Sequence, residues 1–252
     1  MSEVTFNFAG KNFAVVGASS GMGRQIALEL AEAGAHVLAI ARNRERLQAV
    51  KDQFPELVEY AILDVTTAST ADWEAVVGDF VKAHGKLNGE VYTAGTSVLT
   101  PLRAFDEDSA REMMENGFWG AIKSLQVMTR KKFALPESSY VLFSSTAGYG
   151  GLRGNGIYAS VKAAIRLAAY SFCHDIGRDR HRLNTISPGW VKSAMTQSGI
   201  EQGISEDSVG KDYILDIGEP SDVSGMVLFL LSDRAKWITG EDFIVDGGAL
   251  RG

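Results

Sequence analysis

Short runs of β-branched and apolar residues alternate along this chain with longer stretches whose apolar residues recur every three or four positions. The short runs predict strands at Asn12–Val16, His36–Ala41, Val58–Leu63, Glu90–Thr93, Tyr140–Ser144, Arg182–Ser187 and Asp242–Asp246. The periodic stretches predict helices at about Gly23–Ala33, Arg44–Gln53, Ala71–His84, Asp106–Lys132, Ile157–Gly177 and Ser221–Leu231. Several strands are apolar on both faces, as a strand covered on both sides must be. Gly34 and Gly177 read as helix stops, and Asp106 and Ser221 as N-caps. Regular strand–helix–strand alternation requires right-handed crossovers and a parallel sheet. The expected architecture is therefore α/β: a single doubly wound Rossmann-like domain over 1–252, with about seven parallel strands and helices on both faces. Lys192 to Pro220 lacks a clear period and reads as a lid or substrate segment.

Composition narrows the class. A chain of 252 residues buries enough surface to fold without staples or metals. Its 45% hydrophobic and 22% charged residues exclude disorder, collagen and coiled coil. The longest clean apolar run, Met226 to Leu231, is far short of the ~18 residues a membrane span needs. The start MSEVTFNFAGK lacks a basic stretch followed by an apolar one, so no secretory signal and a cytoplasmic location are expected. One cysteine, Cys173, allows no internal disulfide framework, and no metal site is expected. His36, His84, His174 and His181 do not stand at ligand spacing from one another. A net charge of −6 argues against nucleic acid or anionic membrane as the main partner.

Candidate chemistry begins at the first strand–helix junction. Gly17, Ala18, Ser19, Ser20, Gly21, Met22 and Gly23 form a glycine-rich turn that opens a helix. Backbone without side chains can approach a pyrophosphate there, and the helix start offers free N–H groups. The spacing is GxxxGxG rather than GxGxxG. The second strand tests the nucleotide. It ends in Ala41, Arg42, Asn43 and Arg44, with no acid for a ribose 2′-hydroxyl. Arg42 suits a 2′-phosphate, which favours NADP(H) over NAD(H).

Tyr158 and Lys162 stand four apart and project from one helix face. A free tyrosine titrates near pH 10, and a nearby ammonium favours the phenolate. Ser145 lies 13 residues earlier, at the end of a strand, where open parallel sheets bind ligands. A hydroxyl at that position can hydrogen-bond a substrate carbonyl.

With these motifs the sequence resembles the short-chain dehydrogenase/reductase family over nearly its whole length. The matches are the glycine turn, Asp64-Val65, Ala94-Gly95, Asn116, Ser145, Tyr158, Lys162, the run Pro188 to Ser193, and Ile238-Thr239-Gly240 through Val245 to Gly248. The resemblance implies that Tyr158 is the general acid in reduction and the base in oxidation. Lys162 lowers its pKa and holds the nicotinamide ribose, Ser145 polarises the carbonyl, and Asn116 positions a water linking Lys162 to solvent. It further implies that Asp64 and Val65 contact adenine and that Ala94 and Gly95 flank a ribose. Pro188, Gly189, Val191 and Ser193 line the nicotinamide, with Thr196 near its carboxamide. Hydride delivery belongs to the cofactor; the protein supplies position, a proton and charge stabilisation. The family usually has two asparagines where this chain has Tyr92 and Thr93, and Thr93 is expected to be a smaller brace. The implied partner is a small-molecule ketone or alcohol, and the implied assembly a homo-oligomer, tetramer or dimer, through the two longest helices.

Tyr149, Leu152, Trp190 and Met195 are expected to approach the substrate, with Thr96 and Ser97 opposite. Arg130, Lys131 and Lys132 read as a basic helix end that favours the helix dipole. With Arg178 and Arg180 they also offer a dock for an acidic carrier protein. Cys173 reads as a packed small hydrophobe, and Met113, Met114, Phe118 and Leu125 as core or subunit interface. The leading reading is an NADP(H)-dependent carbonyl reductase or alcohol dehydrogenase acting on CH–OH groups. The alternatives are a 3-oxoacyl-[acyl-carrier-protein] reductase and a non-catalytic NADP(H)-sensing protein.

Overall fold

In a computed structural model, every predicted apolar run becomes a strand of one sheet; residues 4–151, 153–201, 210–211 and 213–250 are described. The strands are β1 (Asn12–Val16), β2 (His36–Ala41), β3 (Val58–Ile62), β4 (Leu87–Tyr92), β5 (Ala134–Phe143), β6 (Arg182–Pro188) and β7 (Asp242–Val245). Their order is β3-β2-β1-β4-β5-β6-β7, all parallel. The winding reverses between β1 and β4. At such a switch point the loops on the two sides diverge and leave a crevice beyond the strand ends.

Side-chain alternation divides the core into two layers. Phe13 and Val15 of β1 face Ile26 and Leu30 of α1 (Gly21–Glu32). Ala14 and Val16 face the opposite layer, with Leu47 of α2 (Arg44–Lys51) left on the first side. That opposite layer contains Trp73 and Phe80 of α3 (Thr70–His84), together with Leu125, Met128, Ile165 and Cys173. Helix α1 ends in a complete left-handed cap. Gly34, at φ 89°, donates to the Ala31 carbonyl, and Ala35 donates to that of Leu30.

The long helix expected over 106–132 is divided. Asp106 caps α4 (Glu107–Met114) by accepting from Ser109 N, a π-helical turn covers Glu115–Trp119, and α5 runs from Gly120 to Met128. Beyond β5 lie α6 (Gly156–Ile176), α7 (Ala194–Glu201) and α8 (Pro220–Leu231). Part of the segment expected to lack a period, 192–220, is thus helical; its residues 202–209 and 212 lie outside the described residues. Two expected boundaries are corrected. Glu219, not Ser221, caps α8, because Pro220 takes the first helical position and Asp222 closes a capping box. Gly177 stays right-handed at φ −61°, and Arg180 makes the left-handed stop at φ 60°. Among the described residues no helix is long and apolar enough to cross a membrane.

Strand β4 carries a carboxylic acid through the middle of this core. Glu90 is fully buried; one oxygen accepts from Ser124 Oγ, and the other has no partner among the described residues. Burial pushes its pKa up to about 8, against the smaller opposing pull of Ser124. The native state therefore holds a proton that the unfolded chain releases at pH above about 4.5. Stability is expected to fall as pH rises between those two values, by at most about 1.4 kcal/mol per pH unit. In urea titrations from pH 5 to pH 8, Glu90→Gln should flatten that slope and be the more stable protein at pH 8; parallel slopes would refute the neutral carboxyl.

Candidate active site

Strand β1 stops at Val16, and Gly17 turns the chain with φ 89°. A Cβ on Gly17 would lie 2.5 Å from Thr93 Oγ1 and 2.8 Å from the Ala94 nitrogen, so only glycine lets the turn close against β4. Thr93 donates twice to the Val16 carbonyl, from Oγ1 and from N, both at 2.8 Å. It is the brace across the switch point that the sequence assigned to it. Ser20 caps α1 in extended conformation without a side-chain cap bond. The first-turn amides of α1 thus face an anion-binding position at the mouth of the turn.

A cleft of about 320 Å³ opens here. Gly17, Ser19, Ser20, Gly21, Met22 and Gly23 line it, as do Arg42, Asn43, Val65, Ala94, Gly95, Asn116 and Ser193. Arg46, Ile40, Ala41, Leu63 and Ala194 also line it, and sequence reasoning missed them. Arg46 reads in sequence as one more solvated helix residue. It stands at the exposed mouth of the cleft, in the first turn of a helix that Asn43 caps, Asn43 Oδ1 accepting from Arg46 N at 2.8 Å. Asn43 therefore has a structural task as well as a place at the cleft. Asp64 does not line the cleft. Its carboxylate accepts from Thr66 N and Oγ1 and lies 3.7 Å from Arg42 Nη1. Burial pushes the Asp64 pKa up, but those hydrogen bonds and Arg42 outweigh it and hold the carboxyl below its usual range.

The chemical groups gather where β5 meets α6. Lys162 is buried, and its Nζ donates to the Phe143 carbonyl at 2.8 Å. Ser144 Oγ donates back to the Lys162 carbonyl at 2.8 Å. The same Nζ lies 5.6 Å from the Tyr158 ring centroid and 3.6 Å from where a Gly95 Cβ would stand, so it bridges the tyrosine and the cleft wall. Ser145 caps the short turn Thr146–Gly148, its Oγ accepting from Ala147 N at 3.2 Å. Burial raises the Tyr158 pKa, with the Ser145 side chain pulling the other way. Burial also lowers Lys162 to about 8. Desolvation governs both groups while Nζ is held by Phe143, and the arrangement favours a neutral phenol able to donate.

Asn116 enters from the π turn, buried, with no partner for its Oδ1 among the described residues. Its backbone carbonyl accepts from Tyr92 Oη at 2.6 Å. Tyr92 thus reaches under the bulge and ties β4 to the π turn. Gly120 makes this possible, since a Cβ there would lie 2.4 Å from Tyr92 Oη.

Other expected residues pack inward. Pro188 ends β6 and accepts from Thr146 Oγ1 at 3.3 Å; Gly189 donates to the Val245 carbonyl; Val191 is buried and bridges to Gly218. None of these three lines the cleft, nor do Ser145, Tyr158 and Lys162, although Lys162 Nζ reaches the lining at Gly95. Ser193 N donates to Thr196 Oγ1. Met195 lines the cleft, whereas Tyr149 turns away to donate to Asp242. Trp190 N donates to Tyr213 Oη, Thr96 Oγ1 is buried without a partner among the described residues, and Leu152 lies outside them. The His36 and His84 rings, far apart in sequence, stand 4.6 Å apart, and His84 pairs with Glu59. Among the described residues no His, Cys, Asp or Glu cluster suits a metal. The expected basic helix end is corrected: α5 stops at Met128, and in the turn beyond it Arg130 and Lys132 pair with Glu74 and Lys131 with Asp179, while Arg180 pairs with Glu137.

Fold and site together define a doubly wound α/β protein with a nucleotide-type crevice and a Tyr–Lys–Ser cluster with a buried lysine beside it. A family model described as Enoyl-(Acyl carrier protein) reductase matches residues 17–249. D-erythrulose reductase of Gallus gallus is 29% identical, covering 98% of this chain and 99% of that protein. The 3-oxoacyl-[acyl-carrier-protein] reductase of Staphylococcus aureus is 27% identical, over 94% of this chain and 97% of its own. The solved structure of ElxO with NADP bound superposes with a TM-score of 0.84 at 25% identity, covering 96% of this chain and 99% of that one. The chain belongs to the short-chain dehydrogenase/reductase family and is an oxidoreductase acting on CH–OH groups.

Tyr92→Phe should cost about 1–3 kcal/mol in urea unfolding, because it leaves the buried Asn116 carbonyl without its donor. Gly120→Ala should be destabilising in the wild-type background and less so beside Tyr92→Phe. Additive effects would refute the packing of the hydroxyl against Gly120.

Proposed function

We propose that the protein is an NADP(H)-dependent carbonyl reductase, or alcohol dehydrogenase in reverse, with Tyr158 as the proton donor. The carrying observation is the convergence of Tyr158, Lys162 and Ser145 at the end of β5, with Lys162 Nζ reaching the cleft lining at Gly95. The cleft fits a dinucleotide. A glycine turn that tolerates no Cβ faces a helix start, Arg42 and Arg46 stand together, and Asn116 offers an unpartnered buried oxygen. When bound, the dinucleotide supplies the hydride.

The chain's own groups supply the rest. The Ser145 Oγ accepts from Ala147 N, which leaves its proton for a carbonyl oxygen. Polarised in that way, the carbonyl oxygen gains negative charge during reduction and takes the Tyr158 proton. Lys162 keeps its Phe143 contact; its remaining N–H groups would hold a ribose hydroxyl and stabilise the phenolate left behind, and Asn116 Oδ1 holds the water through which the proton is replaced. Arg42 and Arg46 bind the 2′-phosphate. The exposed side chains Trp119 and Leu167, near α5 and on α6, support a homo-oligomer.

A second reading, 3-oxoacyl-[acyl-carrier-protein] reductase, draws on the Staphylococcus aureus relative. A screen of NADPH consumption over ketones, sugars and acyl thioesters decides between them. A non-catalytic NADP(H) sensor is the third. Tyr158→Phe should lower kcat by about 10²–10⁴-fold while NADPH still binds; a variant with wild-type turnover would end the reading. Arg42→Ala should weaken NADPH at least about tenfold and leave NADH nearly unchanged in fluorescence titration, since only the former carries the phosphate. Equal losses would remove the phosphate assignment.

A further inference from the structure

Tyr158, Lys162 and Arg166 lie at successive i, i+4 positions, so one face of α6 carries all three. Two belong to the chemical cluster; nothing so far assigns the third. Arg166 Nη2 donates to the Gly148 carbonyl at 3.2 Å, and its guanidinium stacks 3.7 Å from the Tyr149 ring centroid. Tyr149 in turn donates to Asp242 Oδ2. Asp242 opens β7 and also accepts from Thr185 and, at 2.8 Å, from Ser187, both on β6. The gripped residues end the turn that Ser145 begins. That turn is short, and it sits directly on α6: a Cβ on Gly148 would be 2.9 Å from the Ala163 nitrogen. Ser145 Oγ is itself bonded to Ala147 N inside it, so any shift of 146–149 redirects the Ser145 hydroxyl. Arg166 Nε is buried without a partner among the described residues. The guanidinium thus gives up one hydrogen bond to keep the stacked geometry.

We propose that Arg166 is a positioning residue that acts through the Thr146–Tyr149 turn on Ser145, with Tyr149 and Asp242 completing the clamp. One helix face then holds the proton donor and, two turns on, the post that aims the hydroxyl opposite it. This rests on the reading of Ser145 as the group that polarises the carbonyl.

A double-mutant cycle tests it, using the ketone found in the NADPH screen. Arg166→Met keeps the aliphatic stem and removes the stack and the donor. It should lower kcat about tenfold, with the fluorescence-measured affinity for NADPH within about twofold of wild type. In a Ser145→Ala background the same change should cost less than about twofold, because its target is gone. Should Arg166→Met not fold, Tyr149→Phe and Asp242→Asn take its place. Tyr149→Phe removes one hydrogen bond and Asp242→Asn one acceptor oxygen, and each should lose about threefold, again only when Ser145 is present. Equal losses in both backgrounds, or none in either, would overturn the clamp and leave the function standing. Full turnover by Ser145→Ala would instead overturn the reading of the site, and the clamp with it.

Discussion

The reciprocal tie between β5 and α6 is the constraint on which the rest of the site depends. Lys162 gives its ammonium to the Phe143 carbonyl, and Ser144 gives its hydroxyl to the Lys162 carbonyl. A lysine buried this deeply is costly to charge, which is why burial lowers its pKa to about 8. Two hydrogen bonds in opposite directions across one contact fix both the height and the rotation of α6 against the sheet. Because Tyr158 lies one turn before Lys162 and Ser145 one residue after Ser144, the tie also sets their separation. Helix α6 cannot slide by a residue without breaking both bonds at once.

The same logic explains why β4 carries polar side chains into a core where apolar ones would pack more cheaply. Thr93 joins β4 to the end of β1, and Tyr92 joins it to the π turn. Glu90 joins it to α5 through Ser124. Each bond leaves the strand in a different direction, and together they locate the switch-point crevice relative to the helix that delivers Asn116. The price is a carboxyl kept neutral by burial, and a tyrosine whose pKa is raised well above its ordinary value, first by desolvation and then by Glu90 and Asp64. A tyrosine reaching under a bulge thus ties the sheet to the helix that delivers Asn116.

Periodicity in the sequence located all seven strands, because strands covered on both faces leave continuous apolar runs. Their edges were less legible. The first halves of β4 and β5 contain Asn88, Gly89, Pro136, Glu137 and two serines, poor strand formers, and the register shift between Leu87 and Gly89 leaves Asn88 and residues 135–138 out of the pairing. The π turn left no mark, since the apolar spacing continues through it. The glycine turn, Ser145, Tyr158 and Lys162 were readable because their chemistry is local in sequence. The bond from Tyr149 to Asp242 was not legible because the two are 93 residues apart, and Arg166 was passed over because an arginine on a helix ordinarily faces water. Arg46 escaped for the same reason. What the sequence hides is chiefly the long-range pairing of polar side chains.

The part of the cleft around Arg42 shows how one such pairing would bear on the proposed selectivity. A ribose hydroxyl is best recognised by a carboxylate with a free oxygen at the tip of β2. The nearest carboxylate, Asp64, is already engaged by Thr66 through nitrogen and hydroxyl and stands 3.7 Å from Arg42. Arg42 and Asp64 are both substantially exposed, so this pair contributes little by itself and is readily exchanged. A phosphate with nearly two negative charges competes for Arg42 on better terms than a half-solvated carboxylate does, and Arg46 adds a second positive charge that Asp64 does not engage. The ion pair with Asp64 thus holds the guanidinium near the cleft without holding it fast. An anion arriving beside it needs to displace one weak contact rather than recruit a side chain from solvent.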